Sequence, residues 1–310
     1  MSYKNENGIL YIKPNAKEFK TMKSSTRRKL PYVIAGCAVL AFAVFAVLFI
    51  IDPLKIKSEP TTQEPTQKIY NADGSPYYED VAVNAYKAEN FKADDSGRIY
   101  YDDENVKYYT GIDVSQYQGD IDWDAVASDG ISFAIVRVGA RGYGTSGKLI
   151  EDANFRQNLE NAEKAGLKVG AYFYSQATNV EEAEEEADYL ISLIKDYKIT
   201  APVVFDWENM PDTAMRTDSV TGEMLDQCAV AFCEKIKDAG YTPLIYFNLS
   251  DGYTRYDLSK IKDYSFWYAQ YEGTTPKFYY NYDIWQYSCT GSVKGIEGNV
   301  DLNIAFSDFS

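Results

Sequence analysis

Two acidic residues stand two positions apart at the end of an apolar run, where the segment VVFDWE closes with Glu208. If this run is a β-strand, Asp206 and Glu208 share one face and Trp207 lies on the other, because side chains alternate along a strand. Two carboxyl groups held close together cannot both ionise easily, so one keeps its proton beside an ionised neighbour. The segment therefore predicts a protonated acid next to a carboxylate that can act as a base or a nucleophile.

Further acids and many aromatic residues lie at the ends of other apolar runs. Taken alone, an Asp-x-Glu pair is more often a cap of the following loop, but Asp113 lies in the first run and Asp301 begins the last. Rings at such ends make good stacking platforms for sugars, although many simply pack in a core. The rings in question are Tyr117, Tyr172, Tyr174, Trp207, Tyr246, Tyr268, Tyr271, Trp285 and Tyr287. Together these residues favour glycoside hydrolysis, in which one carboxyl group protonates the leaving oxygen and another stabilises the cation-like centre.

Composition excludes several other chemistries. The chain has 310 residues, with 46 acidic against 31 basic side chains, a formal net charge of −15 and no His. The absence of His removes a Ser-His-Asp triad, a Cys-His pair and His-ligated zinc, so we expect no metal and no other cofactor. The acidic balance argues against nucleic acid as a partner, because proteins that bind it carry basic patches.

One glycine-rich motif imitates a nucleotide-binding loop. RGYGTSGK (141–148) follows an apolar run, matches G-x-G-x-x-G and nearly matches a P-loop. However, Leu149 stands where a P-loop needs Ser or Thr, and no acidic residue ends the next apolar run, VGAYFYS. We therefore interpret the motif as a mobile glycine-rich loop at the mouth of the site rather than as a nucleotide site.

The candidate residues lie on short apolar runs that alternate with helical patterns, which indicates a parallel α/β sheet. The predicted strands are residues 110–115, 133–139, 169–175, 201–208, 243–248, 265–271, 283–288 and 300–306. Gly130, Gly166 and Gly240 each stand three residues before a strand, as expected of a glycine that ends the preceding helix. Eight strands in about 200 residues predict a compact TIM-like barrel with its active site at the carboxyl ends of the strands, and an open doubly wound sheet is the alternative.

The N-terminal third is organised differently. Residues 1–31 carry eight Lys or Arg and two Glu, whereas residues 32–51 carry no charge. As a helix, residues 32–51 would span roughly 30 Å, the hydrocarbon thickness of a bilayer. A buried helix or a cleaved signal peptide is the alternative, but no small-x-small cleavage site follows, so we predict a transmembrane signal anchor. The basic flank then stays in the cytoplasm and residues 52–310 lie outside the plasma membrane.

Residues 52–110 are predicted to form an extended stalk between the anchor and the barrel. The stretch 58–67, SEPTTQEPTQ, is rich in Pro, Thr, Gln and Glu, a composition that favours an unpacked chain. The later GRIYYDDENVKYYT is compatible with a small hairpin that leads into the next domain. The predicted domains are therefore a tail (1–31), a span (32–51), a stalk (52–110) and a barrel (111–310).

Five segments jointly resemble the glycoside hydrolase family 25 lysozymes, in the family's order. They are GIDVSQYQGDIDW (111–123), VVFDWE (203–208), FWYAQY (266–271), IWQYS (284–288) and GNVDLNIAF (298–306). The resemblance implies a (β/α)5(β)3 barrel over residues 111–310. It also implies that the protein cleaves the β-1,4 bond between N-acetylmuramic acid and N-acetylglucosamine in peptidoglycan, with retention.

The resemblance also implies residue roles. Glu208 would be the general acid, Asp206 would orient the substrate's acetamido group or act as nucleophile, Asp113 would be a further catalytic acid, and Asp301 would line the site. The implied substrate contacts are Tyr246, Gln270 and Trp285, and the rings at strand ends add Tyr172, Tyr174 and Trp207 as predicted contacts. The chain departs from the family in its third strand, where members often have His and this chain reads Ala-Tyr-Phe-Tyr (171–174). This departure concerns fine substrate contacts rather than the acids.

The sequence thus predicts a membrane-anchored muramidase that remodels the cell wall, alone or with a cell-wall or secretion machine as partner. The first competing interpretation is a barrel that binds glycan strands without cutting them and anchors a complex to the wall. The second is a metal-dependent deacetylase or amidase, but such enzymes normally use His ligands.

Overall fold

A computed structural model describes residues 2–4, 10–12, 68–69, 75–143, 146–209 and 215–309. The chain divides into two compact units, Met1–Glu64 and Pro65–Ser310. In the first unit, β1 (Ser2–Lys4) pairs antiparallel with β2 (Leu10–Ile12). Among the described residues, no helix is long and apolar enough to cross a membrane. The predicted span over 32–51 lies outside these residues, and so does most of the predicted tail.

The second unit contains strands and α-helices in the order that the apolar runs predicted. Its strands are β3 (Phe91–Ala93), β4 (Ile99–Tyr101), β5 (Tyr109–Val114), β6 (Phe133–Arg141), β7 (Leu149–Glu151), β8 (Lys168–Ser175), β9 (Val203–Trp207), β10 (Pro243–Asn248), β11 (Ser265–Ala269), β12 (Ile284–Gly291) and β13 (Val300–Ala305). Its α-helices are α1 (Trp123–Ser128), α2 (Phe155–Lys164), α3 (Val180–Ile194), α4 (Gly222–Asp238), α5 (Leu249–Thr254) and α6 (Leu258–Ile261). Gly130, Gly166 and Gly240 have φ angles of 89°, 89° and 87° at helix-to-strand junctions, as predicted.

Eight of the strands close into a barrel. From β5 through β6, β8, β9, β10 and β11 to β12, each strand is parallel to the next. β13 then inserts antiparallel between β12 and β5, which closes the ring, and β7 adds to the edge of β6. Helices follow the first five barrel strands and none separates the last three in the described chain. The (β/α)5(β)3 barrel is therefore confirmed, and the open sheet is excluded.

Alternation along the barrel strands sorts side chains into an inner and an outer layer. Ile135, Val204 and Leu244 belong to one buried cluster that fills the inside of the barrel. Their sequence neighbours Val136 and Phe205 belong to a larger cluster beneath the helices. Burial on both faces explains why the strands read as continuous apolar runs rather than as alternating ones.

The last three barrel strands lack helices on their outer face, and residues 75–108 cover part of that face instead. β3 and β4 form an antiparallel hairpin, and Phe91 and Tyr101 are each 4% exposed. The Phe91 ring lies 5.6 Å from the Trp285 ring, and the Tyr86 ring stacks on Phe306 at 3.9 Å between centroids. This part of the predicted 52–110 stalk is therefore folded, because its aromatic side chains have an uncovered sheet to pack against.

The glycine-rich segment 141–148 joins the end of β6 to β7, which pairs antiparallel with β6. A nucleotide-binding loop would instead join a strand to the amino end of a helix. Arg141 at the end of β6 is buried and bonds to the carbonyl oxygen of Gly147, Nη1 to O 2.9 Å. The described part of the segment thus belongs to a β-hairpin at the carboxyl end of the barrel.

Candidate active site

The carboxyl ends of the barrel strands bring the predicted acids together. Asp113 lies near the end of β5, Asp206 near the end of β9, and Glu208 one residue beyond β9. Because β13 runs the other way, its beginning lies at this end, and Asp301 is the register partner of Asp113. Asp113 and Asp206 are each 5% exposed, so charge on these two carboxyl groups is poorly solvated, whereas Glu208 and Asp301 are half-buried. We call Asp113, Asp206, Glu208 and Asp301 the carboxyl cluster.

Tyrosines flank the carboxyl cluster on the neighbouring strands. Tyr174 on β8 and Tyr246 on β10 are both register partners of Asp206, so their side chains project to the same side of the sheet. Tyr172 lies one inward position below Tyr174, with its ring 6.3 Å from that of Trp267. The structure thus places these three predicted substrate contacts at the mouth of the barrel.

Two amide side chains hold Asp113. Its Oδ1 accepts hydrogen bonds from Asn303 Nδ2 at 2.7 Å and from Gln286 Nε2 at 2.8 Å. Each amide is oriented in turn, because Trp267 Nε1 donates to Asn303 Oδ1 at 2.8 Å and Tyr271 donates its hydroxyl to Gln286 Oε1 at 2.7 Å. Donors fixed in this way favour the ionised form of Asp113 over the protonated form.

The carboxyl groups of the cluster differ in how readily they ionise. Burial raises the pKa of Asp113, and the bonds from Asn303 and Gln286 limit the rise to about 6. Burial, followed by the charges of Asp251 and Asp113, raises the pKa of Glu208 to about 7. Burial and neighbouring carboxylates also raise the pKa of Asp301 well above its usual value. The two amide bonds thus favour the charged form of Asp113, while burial favours the protonated form of Glu208. The sequence predicted such an acid–carboxylate pair from Asp206 and Glu208, whereas here Asp113 is the acid whose charge is best supported.

Asp206 presents an unused oxygen. Its Oδ1 is buried and has no hydrogen-bond partner among the described residues, a costly arrangement unless a ligand supplies the partner. Burial and the nearby Glu208 and Asp113 raise the pKa of Asp206, and the positive charge of Arg137 partly opposes them. Arg137 is held by Asp152, Nη2 to Oδ2 2.8 Å, and lies over the Tyr117 ring.

Replacing Asn303 by Leu should move the acid limb of the pH profile for glycan cleavage to higher pH. The substitution removes one of two amide donors to Asp113, so the ionised form is less favoured and its pKa rises above about 6. A lost hydrogen bond to a charged group corresponds to about one pH unit. The measurement is the pH profile of kcat/KM. The pKa values that its two limbs give describe the carboxyl cluster as a whole, because its groups are coupled.

The alkaline limb of the same profile is the internal control for Asn303→Leu. Glu208 sets that limb, and Asn303 makes no bond to Glu208 in the described structure. We therefore expect the alkaline limb to move less than the acid limb. An unchanged acid limb would show that Asp113 does not carry the essential negative charge.

Three predicted substrate contacts do not lie in the mouth. Trp207 is 1% exposed and belongs to the outer layer, where its Nε1 donates to the Ala177 carbonyl oxygen at 3.0 Å. Trp285 is fully buried in the same layer, and its Nε1 donates to the Gln270 carbonyl oxygen at 3.0 Å. The Gln270 side chain accepts from Lys277 N and donates to Glu272 O, at 2.8 and 2.7 Å, so it braces a loop. Strand alternation explains both tryptophans, because each is adjacent in sequence to an inward residue.

The prediction missed the groups that hold the acids. Gln286, Asn303 and Arg137 are inward positions on β12, β13 and β6, next to the carboxyl cluster. One available signal was the spacing of two residues from Asp301 to Asn303 on one strand, which puts the amide on the same face as the acid. No comparable signal in one sequence connects Gln286 with Asp113, since 173 positions separate them.

No metal site and no second group of acids in the described residues suggests an active site elsewhere in the barrel. In the described segments, no three His, Cys, Asp or Glu side chains are arranged to hold a metal ion. A cavity of about 390 Å³ lies at the opposite end of the barrel, between Phe133, Lys168 and Phe309, and its single acidic lining residue is Asp308. The described lining of this cavity therefore offers no pair of carboxyl groups for acid–base chemistry.

Comparison with known proteins agrees with this geometry. Residues 112–296, which contain all of the carboxyl cluster except Asp301, match the glycosyl hydrolases of family 25. This chain belongs to glycosyl hydrolase family 25. Its barrel is a glycoside hydrolase domain, and the four acids stand where the strands of this domain end.

Relatives of this family 25 chain include named lysozymes. It is 33% identical over 205 residues to "Lysozyme M1" of Streptomyces globisporus and 26% identical over 196 residues to the "Autolytic lysozyme" of Clostridium acetobutylicum. Each match covers 62% of this chain, but 66% of the first relative and 54% of the second. A bacterial lysozyme from Streptomyces coelicolor has a similar structure, with a TM-score of 0.54 and 29% identity over 64% of this chain and 92% of that one.

Proposed function

We propose that this family 25 chain is an N-acetylmuramidase, which hydrolyses the β-1,4 bond between N-acetylmuramic acid and N-acetylglucosamine in peptidoglycan. One observation carries the proposal: Glu208, whose pKa burial and nearby carboxylates raise to about 7, lies at the same end of the barrel as Asp113, whose carboxyl oxygen accepts two amide hydrogen bonds. The named lysozymes among the relatives support peptidoglycan as the substrate.

In the proposed reaction, Glu208 donates its proton to the oxygen that joins the two sugars. The bond between that oxygen and C1 of N-acetylmuramic acid breaks, and positive charge develops on the sugar ring. The negative charge of Asp113 stabilises this charge, and low exposure strengthens the attraction because little water screens it. Glu208, now ionised, accepts a proton from the water molecule that completes hydrolysis.

Asp206 has two possible roles in this scheme, and both use its unpartnered Oδ1. It can accept the N–H of the substrate's acetamido group, whose oxygen then attacks C1, or it can attack C1 itself. Either route forms an intermediate on one face of the sugar and admits water from the other, so the product retains its configuration. Tyr174 and Tyr246 beside Asp206 would contact the sugar ring.

Product analysis tests the function. Purified peptidoglycan is digested with the full-length chain, the new reducing ends are reduced with borohydride, and the reduced sugar is identified by mass spectrometry. We expect reduced muramic acid after borohydride and no effect of a chelator. NMR of the unreduced products should show that the new reducing end forms first as the β-anomer. Saturable binding to the same sacculi without release of reducing ends would instead favour the glycan-binding barrel.

The proposal includes a membrane location. The charge-free stretch 32–51 behind a basic tail would anchor the chain, with the barrel outside the plasma membrane and engaged in local wall remodelling or in a larger wall-spanning machine. Protease added to intact protoplasts should then digest the barrel. Protection of the barrel in intact protoplasts, with digestion after lysis, would contradict the predicted orientation.

A further inference from the structure

Glu208 lies just beyond the hydrogen-bonded part of its strand. The last register pair between β8 and β9 is Ser175 with Trp207, so no regular ladder fixes the main chain of Glu208. A general acid must nevertheless be held in place, because a displacement of about 1 Å can reduce the rate about 100-fold. Another group therefore has to fix this residue.

The side chain of Gln176 supplies the missing contact. Gln176 is completely buried, and its Nε2 donates to the carbonyl oxygen of Glu208 at 2.5 Å and to that of Ser175 at 3.0 Å. The amide thus connects the ends of β8 and β9 one residue beyond the ladder. The bond reaches the main chain of Glu208, so it constrains position without consuming the carboxyl group.

Gln176 is itself held from two sides. Its main-chain N–H donates to Glu186 Oε1 at 3.4 Å, and its carbonyl oxygen accepts from Arg216 Nη1 at 3.0 Å. Glu186 lies on α3 and is completely buried, where Arg141 Nε donates to the same Oε1 at 2.7 Å. The bond from Arg216 is charge-assisted and of ordinary length, whereas the bond to Glu186 is long, so Arg216 is the stronger constraint.

The same ionic groups reach the glycine-rich hairpin. Arg141 donates to the Gly147 carbonyl oxygen, and a Cβ atom at Gly147 would lie 2.4 Å from Arg216 Nη1. Arg216 therefore packs directly on the glycine while its Nη2 pairs with Glu182 at 2.5 Å. This close contact explains why position 147 is a glycine, without a role in nucleotide binding.

We propose that Gln176 is a positioning residue for the general acid: its buried amide holds the main chain of Glu208, and the Arg141–Glu186 and Arg216 contacts hold Gln176. The inference rests on the proposed function of Glu208. Gln176, which is buried, uncharged and outside the carboxyl cluster, and the ionic groups around the hairpin thus help to position Glu208.

The test compares Gln176→Met with wild type in the full-length chain, on soluble glycan strands of alternating N-acetylglucosamine and N-acetylmuramic acid. Methionine has a similar length but no amide donor. We expect kcat to fall about 10- to 100-fold while KM changes less than about twofold. The alkaline limb of the kcat profile should move about one unit to lower pH, because a less confined Glu208 reaches water and loses the effect of burial.

The titratable groups that act on Glu208 stay unchanged in this variant. They are Asp206, Asp113, Asp251 and Asp301 with the tyrosines Tyr174, Tyr246 and Tyr271. A shift of the alkaline limb therefore reports the position of Glu208 rather than a lost charge. Asn158→Leu is the matched control, since it removes another completely buried amide, on α2 and outside the carboxyl cluster. It should leave kcat and the limb unchanged.

A second measurement separates this inference from the proposed function. The titration of the Glu208 carboxyl is followed by ¹³C NMR, with Glu208→Gln to assign the signal, and it needs no turnover. An inactive wild type would overturn the muramidase proposal, whereas a Glu208 pKa equal in wild type and Gln176→Met would overturn the role of Gln176. If Gln176→Met does not fold, Arg216→Met replaces it, and wild-type kcat and Glu208 pKa in that variant would overturn the inference equally.

Discussion

Replacing Glu208 by Gln should reduce kcat for glycan cleavage by about 10²- to 10⁴-fold. Glutamine keeps the size of the side chain but cannot protonate the leaving oxygen. Burial and the charges of Asp251 and Asp113 raise the pKa of Glu208 to about 7, so in the proposed mechanism this group supplies the proton near neutral pH. The measurement is the release of reducing ends from peptidoglycan, together with binding of the variant to sacculi, which should persist.

Asp226→Asn is the matched control for Glu208→Gln. Asp226 is another buried acid, whose pKa burial raises to about 6, but it lies on α4 and accepts a hydrogen bond from Asp257 N that an Asn oxygen can also accept. We expect wild-type kcat from this control. If Glu208→Gln retained more than about a tenth of the wild-type kcat, the general acid would have to be sought elsewhere in the cluster.

A fragment that begins at Gly111 should fail to fold, although the sequence places the start of the barrel there. It lacks residues 75–108, which we call the covering segment because they cover part of the outer face of the last three strands. The buried side chains of this segment are Tyr78, Val81, Phe91, Ile99 and Tyr101. At about 1.5–3 kcal/mol each, these five side chains contribute about 7–15 kcal/mol, less the part that a compact unfolded chain already buries. Typical domains are stable by only about 5–15 kcal/mol. Thermal unfolding followed by circular dichroism should therefore show a cooperative transition for the full-length chain and none for the fragment.

A point mutation tests the same segment without truncation. Phe91→Ala in the full-length chain should cost about 3–5 kcal/mol, because it removes a ring that packs on Trp285 and Phe306. That cost corresponds to a decrease of about 10 °C in Tm. Tyr100→Ala on the same hairpin is the control, since Tyr100 is 37% exposed. Equal Tm values for the two variants would mean that the segment does not stabilise the barrel.

The barrel was predictable because its strands are buried on both faces and so read as continuous apolar runs. Helix ends added a second signal through Gly130, Gly166 and Gly240, whose positive φ angles few other residues adopt readily. The acids followed from the same pattern, because acidic residues at the carboxyl ends of several strands converge once a barrel closes. This pattern predicted only where the acids lie.

The covering segment was not predictable from local pattern. β3 and β4 contain three residues each, too few for a period to be recognised, and their neighbourhood is polar enough to suggest an extended chain. The reason for the segment lies at the other end of the sequence, where β11, β12 and β13 follow one another without helices. Only the closed barrel reveals which outer faces remain uncovered.

Trp207 and Trp285 lie outside the mouth for a related reason. A ring at a strand end is recognisable in sequence, but the face it occupies depends on the phase of the strand. Asp206 points into the barrel, so the adjacent Trp207 must point outward, away from any sugar in the mouth. For Trp285 the phase depends on Gln286, whose inward direction is visible only in its bond to Asp113.

The antiparallel course of β13 also decides where the barrel can be attached to anything else. Its first residues meet Asp113 at the mouth, while its last residue, Ala305, pairs with Tyr109 at the start of β5 on the floor. Both ends of the barrel segment thus leave on the side opposite the carboxyl cluster, and Phe309 lies against Phe133 there. A bead or fusion partner joined after Phe309 would therefore lie at the end opposite the carboxyl cluster, and the mouth would stay accessible to a polymer too large to diffuse.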